Sequence, residues 1–325
     1  MKIVYLLKGY TRGKLRGVYK LILSNSSIAR KYLRKPDTAG SNSLYCYRVW
    51  MKHLKHWSLF NNEIPKVVVE IGPGNSLGVG LAALISGSET LYALERTQYW
   101  NTETNIKVFD ELVAYFSIEK KTEAIRTESD KIDNKNFDFP TQILTKTHLA
   151  ICLNSKRLQK IRKELFDPCN PDNTYIHSII PWESTDIIED NTIDYVFSHT
   201  VLQHLDDLSF AYEAMNKWLK DEGCISHKID FKSMNTTKLW NEHWTLNELE
   251  WSVVTGGTYL INREPMSTHL KLIEDNNFKI IHEIKQTNDN NLSIEDLSDD
   301  FKHLDIKDLT TSGYYYFAQL KKKQE

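Results

Sequence analysis

Hydrophobic positions along the chain change their period at Pro65. Before it, Leu44, Tyr47, Trp50, Met51, Leu54 and Trp57 recur every three or four residues, which predicts a helix with one apolar face across Leu44 to Phe60. After it, short apolar runs alternate with polar helical stretches, the pattern of a parallel sheet with crossover helices. Val67 to Ile71 is apolar except at Glu70, as a strand covered on both faces should be. Further strands are expected at Thr90 to Glu95, Thr174 to Ile180, Ile193 to Ser198 and Cys224 to Phe231. Helices are expected at Leu77 to Ser86, Asn105 to Phe116, Leu208 to Leu219 and Ser267 to Asn276. Two final strands, Phe278 to Lys285 and Tyr314 to Lys321, have no crossover helix between them, which predicts an antiparallel edge. The chain therefore divides into a mainly helical extension, residues 1–64, and one α/β domain, residues 65–325. An insertion around 96–172 interrupts that domain, and its stretch Glu119 to Asp138 is polar and without period.

Composition narrows the picture. A chain of 325 residues, 41% hydrophobic, can bury a large core, and no apolar run approaches the roughly 18 residues of a membrane span. Cys46, Cys152, Cys169 and Cys224 lie far apart without a C-x-x-C pair, so neither a zinc ribbon nor a disulfide framework is expected, only reduced core thiols. No uninterrupted apolar segment with a cleavage site opens the chain, which predicts a cytoplasmic protein. Charge is uneven: residues 1–36 hold ten Lys and Arg and no Asp or Glu, so a total of −2 leaves −12 on the remainder. Ile3, Val4, Leu6, Leu7, Leu15, Val18, Leu21, Ile22 and Leu23 are interleaved with those cations. Such a segment either lies on the anionic inner face of a membrane as a peripheral contact or packs its apolar side on the core. Gly9, Gly13 and Gly17 weaken any long continuous helix there.

Candidate chemistry begins where the first strand ends. Val68-Val69-Glu70-Ile71-Gly72-Pro73-Gly74-Asn75-Ser76 is a strand that stops at Gly-x-Gly and enters a helix; without a Cβ, the backbone can approach a ligand closely. Glu95, at the end of the next strand, can accept two hydrogen bonds from ribose hydroxyls. Together they suit a nucleoside-bearing ligand; separately they read as an ordinary turn and a solvated strand end.

Over residues 66–321 the sequence resembles the class I S-adenosylmethionine-dependent methyltransferases. Glu70-x-Gly72-x-Gly74 is similar to the family's first motif, and Glu95 to its ribose-holding acid. Ile193 to Ser198 followed by Val201-Leu202-Gln203-His204-Leu205 is similar to the fourth motif and its "LxH" turn, and Trp218 to Gly223 to the turn before the fifth strand. The resemblance implies a Rossmann-like, doubly wound seven-stranded sheet, mostly parallel with an antiparallel terminal strand. It implies S-adenosyl-L-methionine as cofactor, with Glu70, Gly72, Pro73, Gly74, Glu95, Trp182 and Ser198 at its site. Ser76 stands where the family has a third glycine, Pro181-Trp182-Glu183 where many members have Asp-Ala, and Arg96 to Asn173 is longer than usual.

A histidine is the natural base near neutral pH, and His199 and His204 follow the fourth strand at the ligand-binding edge of an α/β sheet. In similar sugar methyltransferases the LxH histidine pairs with an Asp ending the fifth strand, so His204 with Asp230 is the expected dyad and His199 the alternate base. His227 alternates with apolar neighbours and should be buried or paired, while His243 and Arg263 are candidates to line an acceptor pocket. No cluster has metal-ligand spacing, so no metal is expected. The expected reaction is O-methylation of a sugar or glycan hydroxyl, or of another small molecule. The closest overall look, including Tyr259 to Phe278, is to bacterial methyltransferases of surface polysaccharides. Two alternatives are a non-catalytic S-adenosylmethionine-binding module and a nicotinamide-dependent dehydrogenase, which Gly72-x-Gly74-x-x-x-Gly78 with Glu95 would also suit. Nucleic acid as acceptor is disfavoured by the acidic body and by the lack of an Asn-Pro-Pro-Tyr motif.

Overall fold

The computed structural model describes residues 3–11, 40–117, 139–257, 260–289 and 292–321; expectations placed on residues 12–39 and on Glu119 to Asp138 lie outside these. Seven strands form one sheet: β1 (Val67–Ile71), β2 (Thr90–Leu94), β3 (Ile176–Ile179), β4 (Ile193–His199), β5 (Leu219–Asp230), β6 (Phe278–Thr287) and β7 (Thr311–Leu320). Their order is β3-β2-β1-β4-β5-β7-β6. Strands β1 to β5 pair in parallel, whereas β7 lies antiparallel between β5 and β6. The last strand is thus interior rather than marginal. Composition explains the exchange: Tyr314, Tyr316, Phe317, Ala318 and Leu320 of β7 are buried, while Glu283 to Thr287 of β6 stay in solvent as a charged edge.

Each buried strand divides its side chains between two apolar layers, as the period of two requires. Val68, Tyr195, Phe197, Cys224 and Phe317 face one layer, and Val69, Ile71, Val196, Ile225 and Tyr316 the other. The first layer is closed by α2 (Ser43–Ser58), α3 (Gly78–Ser86) and α4 (Thr102–Ser117), the second by α7 (Leu208–Trp218) and α9 (Met266–Asp275). Helix α2 is no loose appendage. Its Trp50, Met51 and Leu54 are fully buried, and the Trp50 indole donates to Ser86 Oγ at 2.8 Å. Complete burial of each such side chain contributes about 2 kcal/mol.

Helices α5 (Lys146–Cys152), α6 (Ser155–Glu164) and α8 (Glu248–Thr255) escape the periodicity reading because they carry little apolar stripe; α6 buries only Ile161. Caps define them instead. Asn154 accepts from Lys156 and Arg157 at the start of α6, and Asn247 with Glu250 forms a capping box on α8, which ends at left-handed Gly256. A first helix, α1, spans residues 3–11 and lies on α8. Gly9 permits this, since a Cβ there would sit 2.1 Å from the Val253 carbonyl oxygen. A short α10 (Ile306–Thr310) precedes β7. Of the cysteines, Cys46, Cys152 and Cys224 are buried, whereas Cys169 is exposed, contrary to expectation; all four are free. No helix among the described residues is long and apolar enough to cross a membrane.

Candidate active site

The glycine turn leaves β1 as expected. Gly72 and Gly74 both adopt positive φ, +73° and +70°, but their surroundings differ. A Cβ on Gly72 would meet the Val201 side chain at 2.5 Å, whereas one on Gly74 would meet nothing within 4 Å, so the turn opens onto free space at Gly74. Pro73 between them is buried. Ser76, standing for a third glycine, donates to the Gly40 carbonyl and ties the residues before α2 over the turn.

Glu95 curls back onto the same turn. Its Oε2 accepts from the Gly74 amide at 3.2 Å and its Oε1 from the Arg96 amide at 2.9 Å, which leaves acceptor capacity on both oxygens. Burial raises its pKa despite these two bonds. Glu70 has a different role from the one expected. Its side chain is buried beneath the turn and accepts from the Gly80 amide of α3 at 2.9 Å, so it fastens turn to helix and has no open face for a ligand. Desolvation carries its pKa up to about 8, with repulsion from Glu95 adding to the shift.

Two further residues depart from expectation. Ser198 is fully buried and bonds His227 Nδ1 at 2.7 Å, because its position in β4 points it into the sheet's second layer. Trp182 packs on Phe210 and Trp218, at ring distances of 5.4 and 5.7 Å, and spends its backbone amide on the Glu95 carbonyl. It packs more than it offers a contact for a base.

His204 lies in a short 3-10 turn, Leu202–His204, at the same sheet edge. Its Nδ1 is 2.6 Å from the carbonyl of Leu260. The expected pairing with Asp230 is not made: the Asp230 carboxylate takes the Lys232 amide at 2.9 Å and the Lys232 ammonium at 3.5 Å. What holds the turn is Asn262, whose Nδ2 donates to the carbonyls of Leu202 and Leu205 and whose amide donates to that of Gln203. Asn262 was visible in the sequence; its clamp was not, since the partners lie nearly sixty residues upstream.

His199 ends β4 and contacts a residue that sequence reasoning missed. Its Nδ1 is 3.4 Å from Nε2 of His53 on α2, and its ring meets Tyr45 edge-on. His53 is wholly buried, and its Nδ1 bonds Ser226 Oγ. Desolvation and neighbouring histidines hold its pKa well below the ordinary imidazole value. A histidine within the apolar stripe around Trp50 and Leu54 was the available signal.

His227 is buried and paired as expected, with burial lowering its pKa to about 3. His243 and Arg263 line no opening. Both are buried, and the guanidinium donates to the carbonyls of His243 and Leu246, pairs with Glu248 and lies over the rings of Trp251 and Phe301. They brace the tryptophan-rich loop. Among the described residues no group of His, Cys, Asp or Glu is arranged to hold a metal ion.

The family of methyltransferase domains matches residues 137–226, from the approach to α5 into β5. Solved structures are similar over most of the chain at low identity. One is a putative S-adenosylmethionine-dependent methyltransferase from Listeria monocytogenes, 10% identical, covering 85% of this chain and 98% of that one with a TM-score of 0.38. Another is a phosphoethanolamine N-methyltransferase from Haemonchus contortus in complex with S-adenosyl-L-methionine, 13% identical, covering 86% and 57% with a TM-score of 0.41. A third, from Haloferax volcanii, is a putative methyltransferase in complex with its activator, 12% identical, covering 89% and 97% with a TM-score of 0.42. No curated protein sequence matches. Residues 137–226 thus resemble a methyltransferase domain, and they lie on a seven-stranded sheet that has a glycine turn after β1 and an acid after β2.

Proposed function

We propose that the enzyme methylates a hydroxyl of a sugar or glycan, with His204 as general base. The observation that carries this reading is the bond from His204 to Leu260. A backbone carbonyl only accepts, so Nδ1 bears the hydrogen and the neutral ring keeps its lone pair on Nε2. Leu260 thus does the orienting first assigned to Asp230.

The residues at the edge fit the cofactor. The space at Gly74 admits a ligand, and Glu95 offers acceptor sites for ribose hydroxyls. Bound S-adenosylmethionine supplies a methyl already activated by its sulfonium. The protein's part is then to align the acceptor oxygen and take its proton onto Nε2 of His204. The test is a screen with methyl-labelled S-adenosylmethionine against nucleotide sugars, lipid-linked glycans and small phenols. Label on a sugar hydroxyl is the expected result. Label on amines alone would overturn the hydroxyl acceptor, and tight cofactor binding without transfer to any acceptor would favour the non-catalytic module.

A peripheral membrane contact at the cytoplasmic face is favoured by α1. Tyr5 and Gly9 anchor it to the body, the Tyr5 hydroxyl donating to Glu242 at 2.8 Å, while Ile3, Val4, Leu7 and Tyr10 remain exposed. Cosedimentation with anionic liposomes, weakened by salt and lost on removing residues 1–36, is expected; no binding at low salt would leave α1 as packing alone.

A further inference from the structure

Resting on the reading of the glycine turn as the cofactor site, we propose that Ser76 is a positioning residue that ties the first turn of α2 to that site. Seating of the helical extension and binding of S-adenosylmethionine then strengthen each other.

The tie is made by one hydroxyl. Its hydrogen goes to the Gly40 carbonyl, which can only accept, and its oxygen takes the Gly78 amide at 3.1 Å where α3 begins. Ser76 thereby bonds both to the chain entering α2 and to the helix leaving the turn. Glycine, which the resembling family has at this position, could make neither bond. Packing repeats the connection. A Cβ on Gly40 would stand 3.3 Å from the Asn75 amide nitrogen, so the two backbones lie against each other. One on Gly78 would meet Cys46 Sγ of α2 at 2.5 Å, Val108 of α4 at 2.8 Å and Ser76 Oγ at 2.9 Å, so α2, α4 and the turn converge on a position with no room for a methyl.

The same end of α2 is held from another side. Ser43 Oγ donates to Glu111 Oε2 of α4 at 2.6 Å, and α4 also reaches the turn through Asn105, whose Oδ1 accepts from the Leu77 amide at 2.9 Å. Residues 75–78 are thus gripped by two helices, while Gly74 beside them faces free space. Gly72 and Gly74 leave the turn pliant, so its neighbours set its shape. A grip that shapes the turn for the cofactor must itself be stabilised by bound cofactor to the same factor, because coupling between two equilibria is reciprocal.

Hydrogen exchange of the full chain, read at the amides of Tyr45 and Cys46 with and without S-adenosylmethionine, tests the coupling alongside calorimetric affinity. These amides close the first turn of α2, on the Asn42 side chain and the Asn42 carbonyl, each at 3.0 Å. The cofactor should slow their exchange several-fold in the parent chain. Ser76→Gly should weaken cofactor binding about three- to tenfold, the size of one lost hydrogen bond, and abolish that slowing. Ser43→Ala alters the seating of α2 without touching the turn, and it should weaken binding in the same direction by a smaller factor. Exchange unmoved by bound cofactor in the parent chain would overturn the proposal, as would full affinity in Ser76→Gly. Full affinity in Ser43→Ala would overturn it too, since Ser76 would then act on the turn alone. Absence of binding by the parent chain would defeat the cofactor reading itself, and the proposal with it.

Discussion

Two histidines stand at either end of the β4 turn, and opposite kinds of partner hold them. His204 leans on a carbonyl, which can only accept, and is left with an open lone pair. His199 lies against another imidazole, that of His53, which in turn contacts Ser226. The first is fixed by a loop from the second half of the chain, the second by a helix from the extension. A histidine at the right place in a motif therefore does not declare its role. The group on its far nitrogen does.

The strongest way to break this contrast is to remove each ring. His204→Ala should lower kcat by about 10²- to 10⁴-fold, the range for a lost general base, with cofactor affinity near normal. His199→Gln, which replaces the ring in contact with His53, should instead leave kcat within about tenfold of the parent. Equal losses of kcat in the two variants would erase the distinction.

Gly72→Ala tests whether the His204 side depends on the glycine turn. It adds left-handed strain of about 1–2 kcal/mol and a collision with Val201, the residue that opens the turn of His204. Gly74→Ala carries the same strain without the collision. In urea unfolding Gly72→Ala should lose about 3 kcal/mol and Gly74→Ala about 1. Calorimetry should nonetheless show Gly74→Asp unable to bind S-adenosylmethionine, since a charged side chain then fills the opening.

A smaller effect is expected of Asn262→Ala, which strips the LxH turn of its clamp. It should cost about 1–3 kcal/mol and lower kcat, while the ring NMR resonances of His199 stay as they were. A changed His199 spectrum in that variant would show that the two sides are not independent.

Glu70 provides a control beneath both. Its folded pKa, about 8, lies above the ordinary carboxyl value of 4.5, so the fold favours the protonated form. Its contribution is complete below about 4.5 and is lost as pH rises towards 8. Buried His227, His243 and His269, each depressed to about 3, act in the opposite sense, and their gain is complete by about pH 6.5. Between about pH 6.5 and 8 the Tm of the parent chain should therefore drift down by roughly a few degrees, and Glu70→Gln should remove the drift. The same downward drift in Glu70→Gln would acquit Glu70.

The sheet was legible because burial on two faces writes itself locally. Val67 to Ile71 is apolar except at Glu70 and Ile193 to Phe197 except at Asp194, and Gly-x-Gly after a strand announces a turn open to a ligand. The helices α5, α6 and α8 were not legible, since their caps rather than an apolar stripe define them.

Sequence by itself determined the strands, the glycine turn, Glu95 and the sheet edge on which His199 and His204 would stand. Only the tertiary structure decided the interior place of β7, the burial of Glu70 and Ser198, the pairing of Asp230 with Lys232 and the partners that orient the two histidines. The physical reason is range. Period, turn chemistry and burial of a strand depend on neighbours in the chain, whereas the placing of a histidine ring depends on one donor or acceptor at about 3 Å, and here that group comes from residue 53 or residue 260.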